Sequence, residues 1–236
     1  MTICAFVAPL RPLLASTMRG ALFVALLALG TTTNAPLALA QSEGSLSVTD
    51  LESGLQSRDV WQVVRLLDSI STLRDDDPII PFMVDLWEQR VHKHPQLPWD
   101  FIKSDPMRLT IGHELLLWQN LAMPGVQIDR SQIRDLAIRL IDDPRGDARD
   151  LVLPIFGLLD EPVDVEPVFE VAKREPFGRF PLAIKILAGM CNSAARGALD
   201  ELEQLAPNEA IRAVIADTRR RNDELKEKHG YCKSAD

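Results

Sequence analysis

The most constraining stretch of this chain runs from Leu151 to Leu159 and is almost wholly apolar (Leu-Val-Leu-Pro-Ile-Phe-Gly-Leu-Leu). A helix that is apolar on every face has to be covered on several sides. The preceding segment, Ser131 to Ile141, carries an apolar stripe at helical spacing, formed by Ile133, Leu136, Ala137, Leu140 and Ile141. The two segments therefore predict a helical hairpin that needs further helices before and after it.

The turn between these two segments has a sequence that ends one helix and starts the next. Asp143 precedes Pro144, and the residue before a proline is pushed out of the helical region, so the first helix is predicted to end there. Asp147 is predicted to cap the second helix, where its charge also favours the positive end of the helix dipole.

Asp143-Pro144, followed by Ala148-Arg149, resembles the Asp-Pro…Val-Arg signature of HEAT-type helical repeats. Ala148 stands where that family usually has valine, and the match is good at this one place only. The resemblance implies that Asp143 and Arg149 lie at a turn between helices, where they bond to each other or to exposed backbone groups. An ordinary capped helical hairpin is the alternative interpretation.

The rest of the chain predicts an all-α fold, because no stretch alternates convincingly between apolar and polar residues. Prolines at predicted helix starts recur 28, 38, 32 and 31 residues apart, at Pro78, Pro106, Pro144, Pro176 and Pro207. This near-period favours a short right-handed solenoid of antiparallel helical hairpins, HEAT-like in type. An irregular helical bundle without repeats is the alternative.

The first 40 residues have the pattern of a secretory signal peptide. Arg19 is followed by a short apolar core at residues 21–29, and Ala38-Leu39-Ala40 forms a small-residue cleavage site. Cleavage is predicted after Ala40, and translation could begin at Met18 instead of Met1. The alternative is an uncleaved anchor, because residues 20–40 could just span a bilayer.

Residues 41–236 are predicted to form a single helical-repeat domain in the periplasm or outside the cell. Without Arg11 and Arg19 this part has 24 basic and 34 acidic residues, a formal net charge of −10. Such an acidic chain is a poor candidate for binding nucleic acid or lying on an anionic membrane. No further apolar run is long enough for stable membrane insertion after cleavage.

Two cysteines remain after cleavage, Cys191 and Cys232. In an exported protein such a pair forms a disulfide more often than a metal site, so a bridge between them is predicted. Two free thiols are the alternative.

Residue patterns typical of catalysis, cofactor binding or metal binding are weak. We therefore predict no catalytic residue, no cofactor-binding residue and no metal ligand. His113-Glu114 begins like a zinc-protease helix, but Leu117 stands where that motif needs its second histidine. No serine lies in a Gly-x-Ser-x-Gly elbow, and no glycine-rich loop could cradle phosphate. We therefore expect no enzyme. The alternative is a small periplasmic enzyme or ligand-binding protein, with a pocket lined by His92, His113, Glu114 and Trp118.

The tryptophans form the one unusual feature of the composition, since all four lie in the N-terminal half, at Trp61, Trp87, Trp99 and Trp118. Trp99 and Phe101 sit on a short insert bounded by Pro95 and Pro98, and aromatic anchors dominate many interfaces. The sequence therefore predicts a scaffold or adaptor that binds a protein or peptide partner of the cell envelope through Trp99 and Phe101. The alternative is that these aromatic residues fill an irregular core.

Overall fold

The structure, a computed structural model, describes residues 46–70, 73–143, 146–174, 180–230 and 232, without the side chains of residues 146–150 and 180. Throughout these described residues the regular structure is helical, with no strand, which confirms the all-α prediction. None of the helices described here is long and apolar enough to cross a membrane. The predicted signal peptide at residues 1–40 lies outside the described residues.

The chain divides into two compact units, with the boundary between Ile128 and Asp129. Each unit is described by itself below, and the single domain expected for residues 41–236 stays a prediction.

Unit 1 contains five α-helices in its described part: α1 (Val48–Gln56), α2 (Val60–Asp68), α3 (Ile79–Trp87), α4 (Trp99–Ile102) and α5 (Asp105–Asn120). Helix α1 packs on α2, and α2, α3 and α4 pack on α5. Helix α5 is central because its apolar residues are buried almost all round, among them Leu109, Leu115 and Leu116. A single 3-10 turn (Val91–Lys93) lies between α3 and α4.

Unit 2 contains six α-helices in its described part: α6 (Arg130–Leu140), α7 (Gly146–Leu159), α8 (Val165–Arg174), α9 (Phe180–Gly189), α10 (Ser193–Leu205) and α11 (Glu209–His229). The segment that opened the sequence analysis forms the second half of α7, where Val152, Leu153, Ile155 and Phe156 are fully buried. Helix α7 packs against α6 and α9, which provides the cover that its apolar faces require.

The HEAT-like turn lies partly outside the described residues. Pro144 and the side chain of Arg149 are among those not described, so the predicted contact between Asp143 and Arg149 stays a prediction. The helices on either side of the turn, α6 and α7, pack against each other as the hairpin predicts.

Leu205 of α10 and Val214 of α11 are apolar residues that are exposed in unit 2. Leu205 has 59% and Val214 has 46% of its surface accessible. Leu205 is the last residue of α10, where the helix ends and neighbours become few. Among the residues of α11, all of which are described, Ile215 alone is buried, so this helix contacts the rest of unit 2 along a narrow face.

Candidate functional site

A groove in unit 1 runs along the outer face of α3. Its lining comes from residues 75–77 before the helix, residues 88–93 after it, and the loop 122–127 opposite. The groove has a volume of about 900 Å³, and its apolar lining includes Ile80, Val84, Met123 and Val126. This feature is called the α3 groove below.

Asp85 holds one end of the α3 groove together. Its carboxylate is almost fully buried and accepts hydrogen bonds from Arg90 Nη1 at 2.8 Å and from Lys93 Nζ at 2.9 and 3.0 Å. Glu88 forms a second ion pair with Arg90. The cations at this end therefore each have a carboxylate partner, which limits their ability to recruit an anionic ligand.

His94 adds a third partner to Asp85, with Nε2 3.4 Å from Oδ2. The edge of its ring also packs on Phe82, with the two centroids 5.1 Å apart. Burial raises the pKa of Asp85, but the hydrogen bonds from Lys93, Arg90 and His94 together outweigh burial and lower that pKa. A carboxylate held ionised in this way is a poor proton carrier at neutral pH, so the cluster suits structure or binding better than acid–base chemistry.

Three consecutive aspartates form the other end of the α3 groove. Asp77 is nearly buried, and its Oδ1 accepts a hydrogen bond from the backbone N–H of Ile79, the first residue of α3. Asp75 and Asp76 are exposed, and Asp76 lies 3.7 Å from an equally exposed Arg74. An exposed pair of this kind contributes little to stability.

The loop opposite α3 is fixed by its own backbone contacts. Ala122 and Gly125 adopt left-handed conformations with φ of 55° and 77°. The backbone N–H of Met123 donates to the carbonyl of Trp118, and the backbone N–H of Ile128 donates to the side-chain oxygen of Gln119, which holds the two ends of the loop. The groove wall is thus preformed, and a preformed site loses less conformational entropy on binding.

Trp99, predicted to be an exposed anchor, is buried with 9% of its surface accessible. Its Nε1 donates a 2.8 Å hydrogen bond to the carbonyl of His94, so the indole is buried without an unpaired donor. The expectation of an exposed Trp99 is therefore wrong, because the proline-bounded insert folds into α4 and turns the ring inward. Phe101 is half-buried, and binding of a partner through it stays a prediction.

Side chains from outside the insert that carries Trp99 also form hydrogen bonds with it. Arg58 donates to both carboxylate oxygens of Asp100, at 2.5 and 3.0 Å, and Gln56 Nε2 donates to the carbonyl of Gln96 at 2.9 Å. These contacts join the insert to the end of α1, which makes it part of the framework of unit 1.

The residues of the alternative ligand pocket do not line the α3 groove. His113 and Glu114 are neighbours on α5, with Nδ1 and Oε1 3.3 Å apart, and Glu114 is buried. Trp118 is also buried, and its Nε1 has no hydrogen-bond partner. Within the described part of the chain, no group of three or more His, Cys, Asp or Glu residues is placed to hold a metal ion.

Cys191 and Cys232 form a disulfide in unit 2, as predicted, with their Cα atoms 5.1 Å apart. The bridge joins the chain after α9 to the chain after α11. Beside it, Lys226 of α11 donates a 2.7 Å hydrogen bond to the carbonyl of Met190. Burial is the main reason that the pKa of Lys226 is lowered.

The α3 groove was missed at the sequence level, although two of its parts were visible there. The run Asp75–Asp77 before Pro78 is a pattern typical of a helix start, and Met123-Pro124-Gly125 is typical of a helix end. No sequence pattern indicates that a helix start and a loop about 45 residues later line the same groove.

Comparison of the chain with protein-family models, with curated proteins and with solved structures finds no match.

Proposed function

We propose that this protein is an exported helical-repeat scaffold or adaptor, and that its α3 groove receives a segment of a protein partner. The observation that carries the proposal is the groove itself, which lies between α3 and the loop 122–127 and is lined by both polar and apolar residues. Recognition surfaces are commonly loops and grooves presented by a rigid framework.

The pattern of helix contacts in unit 2 supports the repeat part of this proposal. Each helix packs on the next along the chain, and contacts also join α7 to α9, α8 to α10 and α9 to α11. A stack of helical hairpins produces contacts of this kind, between neighbours one and two positions apart. A right-handed HEAT-like solenoid is the arrangement that we propose for these helices.

The disulfide supports export. Bridges persist in oxidising compartments and are rare in the cytosol, so a bond between Cys191 and Cys232 agrees with a periplasmic or secreted location. Cleavage after Ala40 rests on the sequence pattern of residues 1–40.

A photo-crosslinking experiment tests the proposed groove. A benzoylphenylalanine is placed at Val84, on the groove wall, or at Ile138, an exposed apolar position on α6 that serves as the matched control. We expect a discrete adduct from position 84, mapped by mass spectrometry to one segment of one envelope protein, and none from position 138.

The purified partner then provides the quantitative step. Val84→Trp should fill the groove and weaken binding at least tenfold, whereas Ile138→Trp, which places the same indole ring outside the groove, should leave affinity unchanged. Circular dichroism melting checks that both variants fold. Adducts that are equal at the two positions, or absent at position 84, would contradict the proposed function.

A further inference from the structure

The second half of α11 has little apolar contact with the rest of unit 2. Ile215 is fully buried, but every residue from 216 to 230 is exposed or half-buried. Burial of apolar surface is the main force that holds packed helices together, so this half of the helix depends on other contacts for its position. Residues 216–230 are called the α11 arm below.

Polar contacts join the α11 arm to the helices beside it. Arg219 Nη1 lies 2.5 Å from Oδ1 of Asp200 on α10, and about half of the Asp200 side chain is exposed. Further along the arm, Lys226 Nζ donates its 2.7 Å hydrogen bond to the carbonyl of Met190, just after α9. An exposed ion pair contributes little to stability, and a single hydrogen bond adds only a modest net amount because water competes for both partners. These two contacts therefore hold the arm weakly.

The disulfide is the covalent contact at the end of the arm. Gly230 ends α11 in a left-handed conformation, and Cys232, two residues later, is bonded to Cys191. Both cysteines are half-buried, and Cys232 has a φ of 67°, a left-handed conformation that is costly for a residue with a Cβ atom. Exposed or strained bridges are the ones that thiols reduce most readily. The bridge is therefore placed where a reductant can reach it.

Without the bridge, the α11 arm is too short to remain a stable helix by itself. It contains 15 residues, and isolated helices shorter than about 12–15 residues are marginal in water. The ion pairs within the arm, Arg220 with Glu224 and Arg221 with Asp217, have i, i+4 spacing and support a helix only slightly. Loss of the bridge should therefore allow the arm to leave its neighbours and to fray from its C-terminal end.

We propose that the bridge between Cys191 and Cys232 is a redox latch for the α11 arm, opened by a dithiol protein with a Cys-x-x-Cys site. One thiolate of that site attacks a sulfur of the bridge, which breaks the S–S bond and forms a mixed disulfide. The second thiol of the same site then displaces this chain. The chain gains two electrons and two protons and leaves with two thiols, while the reductant keeps a disulfide. This inference does not depend on the α3 groove.

Hydrogen exchange of the full mature protein, with and without excess reduced thioredoxin, tests the latch. Alkylation of the native protein, followed by mass spectrometry, first counts its free thiols. We expect both cysteines to be labelled after incubation with thioredoxin and neither before. At labelling times of seconds to minutes, amides of the α11 arm should then exchange about tenfold faster than in the oxidised protein. Amides of α7, where residues 152–156 are buried, should not change at these times.

Two variants assign the opening to the bridge. Cys191→Ser with Cys232→Ser should show the fast exchange of the arm without any reductant and should not respond to thioredoxin. Lys226→Met removes the hydrogen bond to Met190 but keeps the bridge. This variant should exchange within about twofold of wild type while it is oxidised, because the covalent contact remains.

Each contrary result would overturn the latch. A bridge that thioredoxin reduces only after denaturant is added would be a static link. A reduced protein whose arm keeps its protection would show that the bridge does not hold the arm. Equal acceleration in the arm and in α7 would mean that unit 2 loosens as a whole. If oxidised Lys226→Met exchanges as fast as the reduced wild type, the hydrogen bond holds the arm and the bridge does not.

Discussion

Asp160 and Cys191 are joined by a forked contact in which the backbone N–H of Cys191 lies 2.9 and 3.0 Å from the two carboxylate oxygens of Asp160. The side chain of Asn192 donates to the same carboxylate at 3.0 Å. Asp160 ends α7 in a left-handed conformation with φ of 49°. The contact therefore fixes the end of α7 to the end of α9, beside the disulfide.

Asp160→Ala should destabilise unit 2 by about 2–4 kcal/mol, because two donors lose their acceptor and alanine is strained at positive φ. Asp160→Asn should cost less, since it keeps one oxygen acceptor and asparagine tolerates this conformation. Denaturant unfolding followed by circular dichroism measures both variants. Equal stability of the two would contradict this role of the carboxylate.

The charge of Asp160 also predicts a pH effect. Burial is the largest influence and raises the pKa of this carboxyl, although hydrogen bonds from Cys191 and Asn192 oppose it. Between the unfolded and the raised folded pKa the folded protein binds more protons, so stability falls as pH rises through that window. Asp160→Asn should remove this decline, and the difference in unfolding free energy between wild type and variant, measured from pH 3 to 7, checks it.

Removal of the disulfide should cost about 4 kcal/mol in the chain-entropy model, because the bridge closes a loop with a sequence separation of 41 residues. Cys191→Ser with Cys232→Ser, or reduction with a dithiol, should lower the melting temperature to the same extent. Thiol labelling of the denatured, non-reduced mature protein should find no free cysteine. Two labelled thiols in protein from an oxidising compartment would refute the bridge.

Most helices could be predicted from the sequence because their apolar residues recur at helical spacing. The short helix α4 was not predicted, since it lies in the segment expected to be an insert, and the capping residues could not be assigned reliably. Ser57 and Ser193 are of a residue type that commonly caps helices, but Asp59 and Asn192 occupy the cap positions and accept from backbone N–H groups two or three residues on. Each pair lies within two residues in the sequence, and all four residue types cap helices well. The local backbone therefore decided between them.

The burial of the Trp99 side chain could not be predicted from the sequence for a different reason. Its burial depends on a hydrogen bond to His94 and on a clamp between Arg58 and Asp100, which are 42 residues apart. Long-range contacts of this kind leave no periodic signal. The same holds for the α3 groove, whose two walls come from separate parts of unit 1.

Trp99→Ala should now cost unit 1 about 3–5 kcal/mol, the range for truncating a buried tryptophan. Trp99→Phe should cost less, since it loses the hydrogen bond to His94 but keeps most of the apolar surface. Fluorescence of the remaining tryptophans reports this unit directly, because all four tryptophans lie in it. A Trp99→Ala protein that melts like wild type would show that the indole is not part of the core.

Arg134→Ala should be among the most damaging changes in unit 2. Its guanidinium donates to both oxygens of Asp164, at 2.6 and 3.1 Å, and to Glu161 at 2.7 Å, and Asp164 is completely buried. Loss of the arginine leaves that carboxylate without its cation, which costs about 3–5 kcal/mol. Arg134→Lys should restore only part of this, because an ammonium cannot form the planar fork. Arg212→Ala, at an exposed pair with Glu209, is the control and should change stability by less than about 1 kcal/mol.

Asp85→Asn should make the stability of unit 1 less sensitive to acid. The folded pKa of Asp85 is lowered despite its burial, because Lys93, Arg90 and His94 donate to it. A lowered folded pKa contributes stability that is present above the unfolded value near 3.8 and is lost as pH falls through the folded pKa.

At pH 7 the Asp85→Asn variant should be less stable than wild type by about 1–2 kcal/mol, since the half-exposed cations are screened by solvent. The difference between the two proteins should shrink as pH falls below the unfolded value near 3.8. Tryptophan fluorescence during denaturation at pH 7 and pH 2.5 measures the difference, with Asp135→Asn on α6 as an exposed control. A stability difference that is the same at both pH values would mean that Asp85 contributes to packing and not through its charge.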